Sequence, residues 1–121
     1  GQTVTARPRL QHALRDFQSH EMRAQMLSCL DDLALLRMQE GPATEALKLA
    51  TAADLARQRL KLRRSPWEEP RWQKRLAALC ASLAPELVQS ATRAGRDLET
   101  DDAVAVALEG ADQSTVTVVR G

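Results

Sequence analysis

Aromatic side chains are almost missing from this chain of 121 residues. Phe17, Trp67 and Trp72 are the whole set, and there is no tyrosine. A core so poor in rings must be filled by Leu, Ala, Val and Met. Leu and Ala are strong helix formers, so the composition points to an all-α fold. Glycine is nearly as scarce: of five, Gly1 and Gly121 are terminal, leaving Gly41, Gly95 and Gly110. That is too few for most phosphate-cradling loops, and neither GxxxxGK[ST] nor GxGxxG occurs, which excludes nucleotide sites of those types. No apolar run approaches the roughly 20 residues that span a bilayer. The opening GQTVTARPRL lacks the apolar stretch of a secretory signal. Gly1 follows no Met and reads as a cleavage scar, so the chain is expected to be a fragment of something longer. The two cysteines, Cys29 and Cys80, lie among leucines and alanines. They read as reduced, buried thiols of a cytoplasmic protein. A formal net charge of +1 favours no class of partner.

What is abundant is helical periodicity. Residues 1–7 are unpatterned and read as a tail or tag scar, and residues 8–109 as a single helical domain. Pro8 suits a first helical turn. Leu10, Ala13, Leu14 and Phe17 then form a stripe that ends near Ser19 or His20. The segment 21–40 is amphipathic through Met26, Leu27, Leu30, Leu33, Ala34 and Met38, widened by Cys29 and Leu36. Gly41 and Pro42 stop it. A second long helix over 43–62 carries Ala46, Leu49, Ala50, Ala53 and Leu60 inward. Two long helices joined by so short a turn must pack antiparallel. Ser65, Pro66 and Glu68 read as a capping box, with Pro70 as an alternative start. Trp72, Leu76, Leu79, Cys80 and Leu83 form the next stripe. Pro85 opens a shorter helix with Leu87, Val88, Ala91 and Ala94, closed by Gly95. Thr100 caps a last helix over 101–109, with Ala103, Val104, Ala107 and Leu108 inward. The tail 110–121 reads as disordered, or as an edge strand beside residues 3–5.

The 21–62 pair fits the 34-residue tetratricopeptide pattern at Leu30, Leu33, Ala34, Gly41, Ala46 and Ala53. The small residues fall where helix backbones approach most closely, and larger ones would overpack. Arg37, Ala50 and Gln58 depart from an aromatic, a large apolar residue and a proline. The chain continues with Pro66 in a loop and with Leu76, Leu79 and Leu83 in a helix. Ala91, Gly95 and Leu98 follow, then Asp101, Asp102, Ala103, Val104, Ala107 and Leu108. Over roughly residues 22–109 this resembles the C-terminal helical region of large bacterial ATPase-type transcriptional regulators, LuxR-like proteins of the signal-transduction ATPase class. Ala84 and Leu87 depart from a usual Gly and Phe. The resemblance implies a tetratricopeptide-like hairpin extended by shorter helices in a right-handed stack, acting in the cytoplasm. It further implies a surface for protein partners, other domains of a longer chain among them, or for inducers, coupled to a distant ATPase, and no ATP hydrolysis in these residues.

Charge is unevenly spread. Residues 57–75 hold eight cations, Arg57, Arg59, Lys61, Arg63, Arg64, Arg71, Lys74 and Arg75, against Glu68 and Glu69. Residues 86–112 hold seven acidic side chains against Arg93 and Arg96. The basic cluster, flanked by Trp67 and Trp72, reads either as a solvated helix end or as a binding patch. Its candidate contact residues are Arg57, Arg63, Arg64, Trp67, Arg71, Lys74 and Arg75. Trp72, inside a leucine stripe, reads as packing. His12, Asp16 and His20 share a helix face but do not close a zinc site. HEMRA at 20–24 is not HExxH, and no nucleophile motif is present. The expectation is a non-catalytic interaction domain without metal or cofactor. Alternatives are a small nucleic-acid-binding domain that uses the 57–75 cluster, or a dimeric helical adaptor or chaperone.

Overall fold

The computed structural model describes residues 2–108, and their side chains from Arg7 onward. Among these residues the protein is all-α, with six helices and no strand. They are α1 (Gln2–Ser19), α2 (Arg23–Glu40), α3 (Ala43–Leu60), α4 (Glu68–Ala81), α5 (Pro85–Arg96) and α6 (100–108). The expected tail over 110–121 lies outside the described residues.

The first helix begins earlier than its pattern suggests. Residues 2–7 are helical rather than a loose tail, and Pro8 lies inside α1 rather than in its first turn. Proline has no N–H to offer the carbonyl four residues back, so this turn of α1 rests on its neighbours. One of them is Glu40, at the end of α2, which forms an ion pair with Arg7.

α2 and α3 pack against each other as an antiparallel hairpin. Gly41 turns the chain at φ 80° and ψ 173°, a backbone that L side chains rarely adopt. Ala34, Ala46 and Ala53 are all fully buried. α3 is the axis of the molecule and packs on α2, α4 and α5. Its buried residues, Ala46, Leu47, Leu49, Ala50, Ala52, Ala53, Ala56 and Arg57, run around most of its circumference. A helix apolar on nearly every side belongs in an interior. Leu49, Ala50, Ala52, Ala53 and Ala56 face a main core with Leu27, Leu30 and Leu33 of α2, Leu14 of α1, Trp72 of α4 and Val104 of α6. Ala46 and Leu47 face a smaller cluster with Leu79 of α4 and Ala91 of α5.

α5 lies close on α3 because Gly95 carries no Cβ. A Cβ there would lie 2.5 Å from the Lys48 carbonyl oxygen and 2.7 Å from Thr51 Cβ. Gly95 is therefore a contact inside α5 rather than the stop that closes it. Leu87, expected inward, is 46% exposed, because Val88 and Ala91 take the inner face. α6 returns to the start of the chain. Gln11 Nε2 of α1 donates to the Ala107 carbonyl at 3.0 Å, and Arg37 Nη2 of α2 donates to the Val106 carbonyl at 2.9 Å. Arg37 stands where the repeat pattern has an aromatic. Here it binds a backbone carbonyl of α6 and so ties α2 to that helix. Glu99, rather than Thr100, opens that helix: its carbonyl accepts from Ala103 N, and its own N–H donates to Asp102 Oδ2 at 3.3 Å.

Candidate interaction surface

The basic cluster divides between the interior and the surface. Arg57, near the end of α3, and Arg64, in the loop before α4, are each 9% exposed. Both turn toward Asp31 of α2, itself buried. Arg64 grips it bidentately, Nε to Oδ2 and Nη2 to Oδ1, each at 2.8 Å. Arg57 gives Nε and Nη2 to Oδ2 at 3.1 and 2.7 Å, and its Nη1 caps the Leu62 carbonyl at 2.9 Å. Arg64 Nη1 reaches Asp54 Oδ1 at 2.7 Å and Glu69 Oε2 at 3.4 Å. Its guanidinium lies 3.8 Å from the ring centroid of Trp72. Two cations thus meet two close carboxylates, so the interior charge is balanced. The network ties α2, α3, the 61–67 loop and α4 together. The Trp72 indole N–H has no acceptor in hydrogen-bonding geometry, though its dipole still favours the Asp54 anion at longer range.

Burial alone would lower the Arg64 pKa. Its contacts with Asp31 and Asp54 outweigh that and hold it above the ordinary value. Burial raises the Asp54 pKa above the usual 3.8; Asp31 adds to this and Arg64 opposes it. Asp32 is also raised from 3.8, by desolvation first, then by Asp31 and Glu68, against the pull of Arg57. The sign of the consequence follows from proton linkage. Just above pH 3.8 the folded chain holds protons on Asp32 and Asp54 that the unfolded chain has released. Their contribution to stability therefore declines as pH rises through that window, and the ionised groups oppose folding above it. Asp32→Asn should raise the urea midpoint at neutral pH. The advantage should shrink as pH falls toward about 4. A pH-independent advantage would contradict the raised Asp32 pKa, which burial causes first and Asp31 and Glu68 add to.

The remaining cations stay outside. Arg59 pairs with Glu99 at 3.5 Å and donates to the Leu98 carbonyl. Lys61, Arg63, Arg71, Lys74 and Arg75 are exposed and form no ion pair among the described residues. Lys61 and Arg63 edge a groove of about 710 Å³ that also holds Asp54, Gln58, Glu69 and Gln73. Of its three arginines, Arg57 and Arg64 are committed to Asp31, which leaves Lys61 and Arg63 against the carboxylates of Asp54 and Glu69, so the groove offers an anion no net excess of free charge. Arg57 and Arg64, read from sequence as contact residues, are therefore framework. Burial was the missing information: the acid that both meet, Asp31, lies buried on the flank of α2's apolar stripe.

Trp67 differs from Trp72 as expected. Trp72 is 3% exposed and Trp67 is 71% exposed. Trp67 stands on a turn fixed by Ser65, whose Oγ accepts from Glu68 N at 3.2 Å and donates to Glu68 Oε1 at 2.7 Å. The helix begins at Glu68, with Pro70 inside its first turn.

Other candidates are weaker. His12 Nε2 is 3.8 Å from Asp16 Oδ2 and the pair is exposed, while His20 Nδ1 lies 2.8 Å from the Asp16 carbonyl instead. Among the described residues no group of three or more His, Cys, Asp or Glu side chains could hold a metal ion. Neither cysteine is bridged; Cys29 is buried and Cys80 only partly so. Burial, with Asp32 behind it, pushes the Cys29 thiol pKa above its usual range. No helix among the described residues is long and apolar enough to cross a membrane. No protein-family model, curated protein or solved structure matches the chain.

Proposed function

We propose that this chain is a non-catalytic helical interaction domain, the C-terminal part of a cytoplasmic bacterial ATPase-type transcriptional regulator. The observation that carries the interaction reading is Trp67. It is a large apolar side chain left 71% exposed on a turn fixed by hydrogen bonds, in a segment whose Arg63, Arg71, Lys74 and Arg75 form no ion pair among the described residues. Exposed tryptophans and arginines on a rigid frame are the residue types that dominate protein interfaces.

The regulator reading draws support from where the resemblance's packing positions fall. Ala34, Ala46 and Ala53 are buried at the α2–α3 hairpin, in keeping with a tetratricopeptide-like unit. Ala91 and Gly95 meet α3, and Ala103, Val104 and Ala107 face the core while Asp101 and Asp102 face water. The return of α6 to α1 and α2 is a local closure that an open stack of repeats does not have. The test is the coding frame. An upstream P-loop ATPase module is the expected result, and a frame that encodes only these helices overturns the regulator assignment.

Nucleic-acid binding is the less favoured reading. It needs the 57–75 cluster to act as one patch, and the pairing of Arg57 and Arg64 with Asp31 removes two of its eight cations.

A further inference from the structure

The outer face of α4 carries a pattern that its packing does not use. An α-helix repeats every 3.6 residues, so positions 67, 71, 74, 78 and 81 fall on one line. Trp67 enters this line in phase because its own backbone is already helical, at φ −89° and ψ −24°. Trp67, Arg71, Lys74, Ala78 and Ala81 are all exposed, and Arg75 flanks them. The opposite side of the helix, through Trp72, Leu76 and Leu79, faces the core. The acidic residues of α4 are engaged elsewhere: Glu68 with Ser65, and Glu69 with Arg64 and Gln73. Arg71 and Arg75 share a hollow of about 210 Å³ with Asp32 and Glu68 and pair with neither.

The stripe is therefore a ring at one end, cations that form no ion pair among the described residues in the middle and a shallow alanine floor at the other. At 1.5 Å per residue it is about 21 Å long, four turns of helix. We infer that the outer face of α4 docks an acidic amphipathic helix of a protein partner, its carboxylates set against Arg71, Lys74 and Arg75 and an apolar side chain laid on Trp67. This rests on the interaction-domain reading and specifies its partner. Charge complementarity selects the occupant. Arg71, Lys74 and Arg75, which form no ion pair among the described residues, attract carboxylates, and the alanines let a second helix backbone come near. A long polyanion is disfavoured, because the exposed Glu86, Asp97, Glu99, Asp101 and Asp102 follow on the same small domain.

The test uses the full chain and a fluorescein-labelled, alanine-based peptide of about 18 residues, with glutamates four apart on one face and a leucine at one end. The controls are the same peptide with glutamine for glutamate and a single-stranded DNA of equal length. The expected result is a rise in anisotropy for the acidic peptide at about 50 mM salt that weakens at least tenfold by about 500 mM. Trp67→Ala and the pair Arg71→Ser/Lys74→Ser should each weaken binding roughly tenfold with helical circular dichroism unchanged. Arg93→Ser/Arg96→Ser, which removes the same charge from α5, should leave it unaltered. No binding of the acidic peptide at low salt overturns the inference. So does equal binding of the glutamine peptide, or an equal loss from the α5 pair. DNA binding without peptide binding gives the face to nucleic acid. The coding-frame result is independent of each of these, so the docking inference can fail while the regulator reading stands.

Discussion

Asp31→Ala should cost this domain roughly 3–5 kcal/mol, because it leaves the buried Arg57 with no carboxylate and only the Leu62 carbonyl, and takes from Arg64 its bidentate partner. Arg57 and Arg64 together place four N–H donors on Asp31, and neither has solvent to replace it. Folding stabilities are only about 5–15 kcal/mol, so the urea midpoint should fall by a large fraction or the fold should be lost. The diagnostic comparison is the triple variant Asp31→Leu/Arg57→Met/Arg64→Met. Removing all three charges leaves the carboxylate of Asp54, 25% exposed, without its arginine, but should cost less than Asp31→Ala alone. A triple variant less stable than the single one would mean that the ion network itself stabilises the fold, beyond compensating its own desolvation.

Gly95→Ala should also destabilise, by about 1–3 kcal/mol, against the direction that helix propensity gives. At an exposed helical position the same change would gain about 1 kcal/mol. Here the new methyl would lie 2.5 Å from the Lys48 carbonyl and 2.7 Å from Thr51 Cβ, both fixed to the α3 backbone. Relief requires α5 to move off α3, which opens the cluster of Leu47, Leu79 and Ala91. Urea unfolding of Gly95→Ala beside an exposed control, Ser90→Ala, checks the sign. Equal or greater stability for Gly95→Ala would show that the two helices do not touch there.

Much of this fold was legible from residue spacing, since a leucine and alanine pattern with few aromatics can only bury itself as helices. The breaks at Gly41–Pro42, Ser65–Pro66 and Pro85 all appear as helix boundaries, because each carries a local backbone or capping reason. The second buried face of α3 was not legible. Leu47 falls off the stripe of Leu49, Ala53 and Leu60, and only the arrival of α5 and α4 on that side makes it core. Gly95 was open to misreading for a related reason: a helix stop and a close helix contact both require glycine, and sequence does not separate them.

The candidate surface was half legible. Trp67 could be separated from Trp72 because one sits in a loop and the other in a leucine stripe. Arg57 and Arg64 were indistinguishable from their basic neighbours, since a buried arginine is defined by the acid it meets and Asp31 lies 26 and 33 positions away. That pairing decides what the cluster can do, because a guanidinium committed to the interior is not offered to a partner.

The exchange of arginine Nε protons, followed by NMR, tests this division of the cluster most directly. The Nε–H of Arg57 and Arg64, both donated to Asp31, should exchange slowly with solvent, while those of Arg71 and Arg75 exchange at once. Arg57 and Arg64 signals lost as fast as that of Arg71 would contradict the account and return both side chains to the surface.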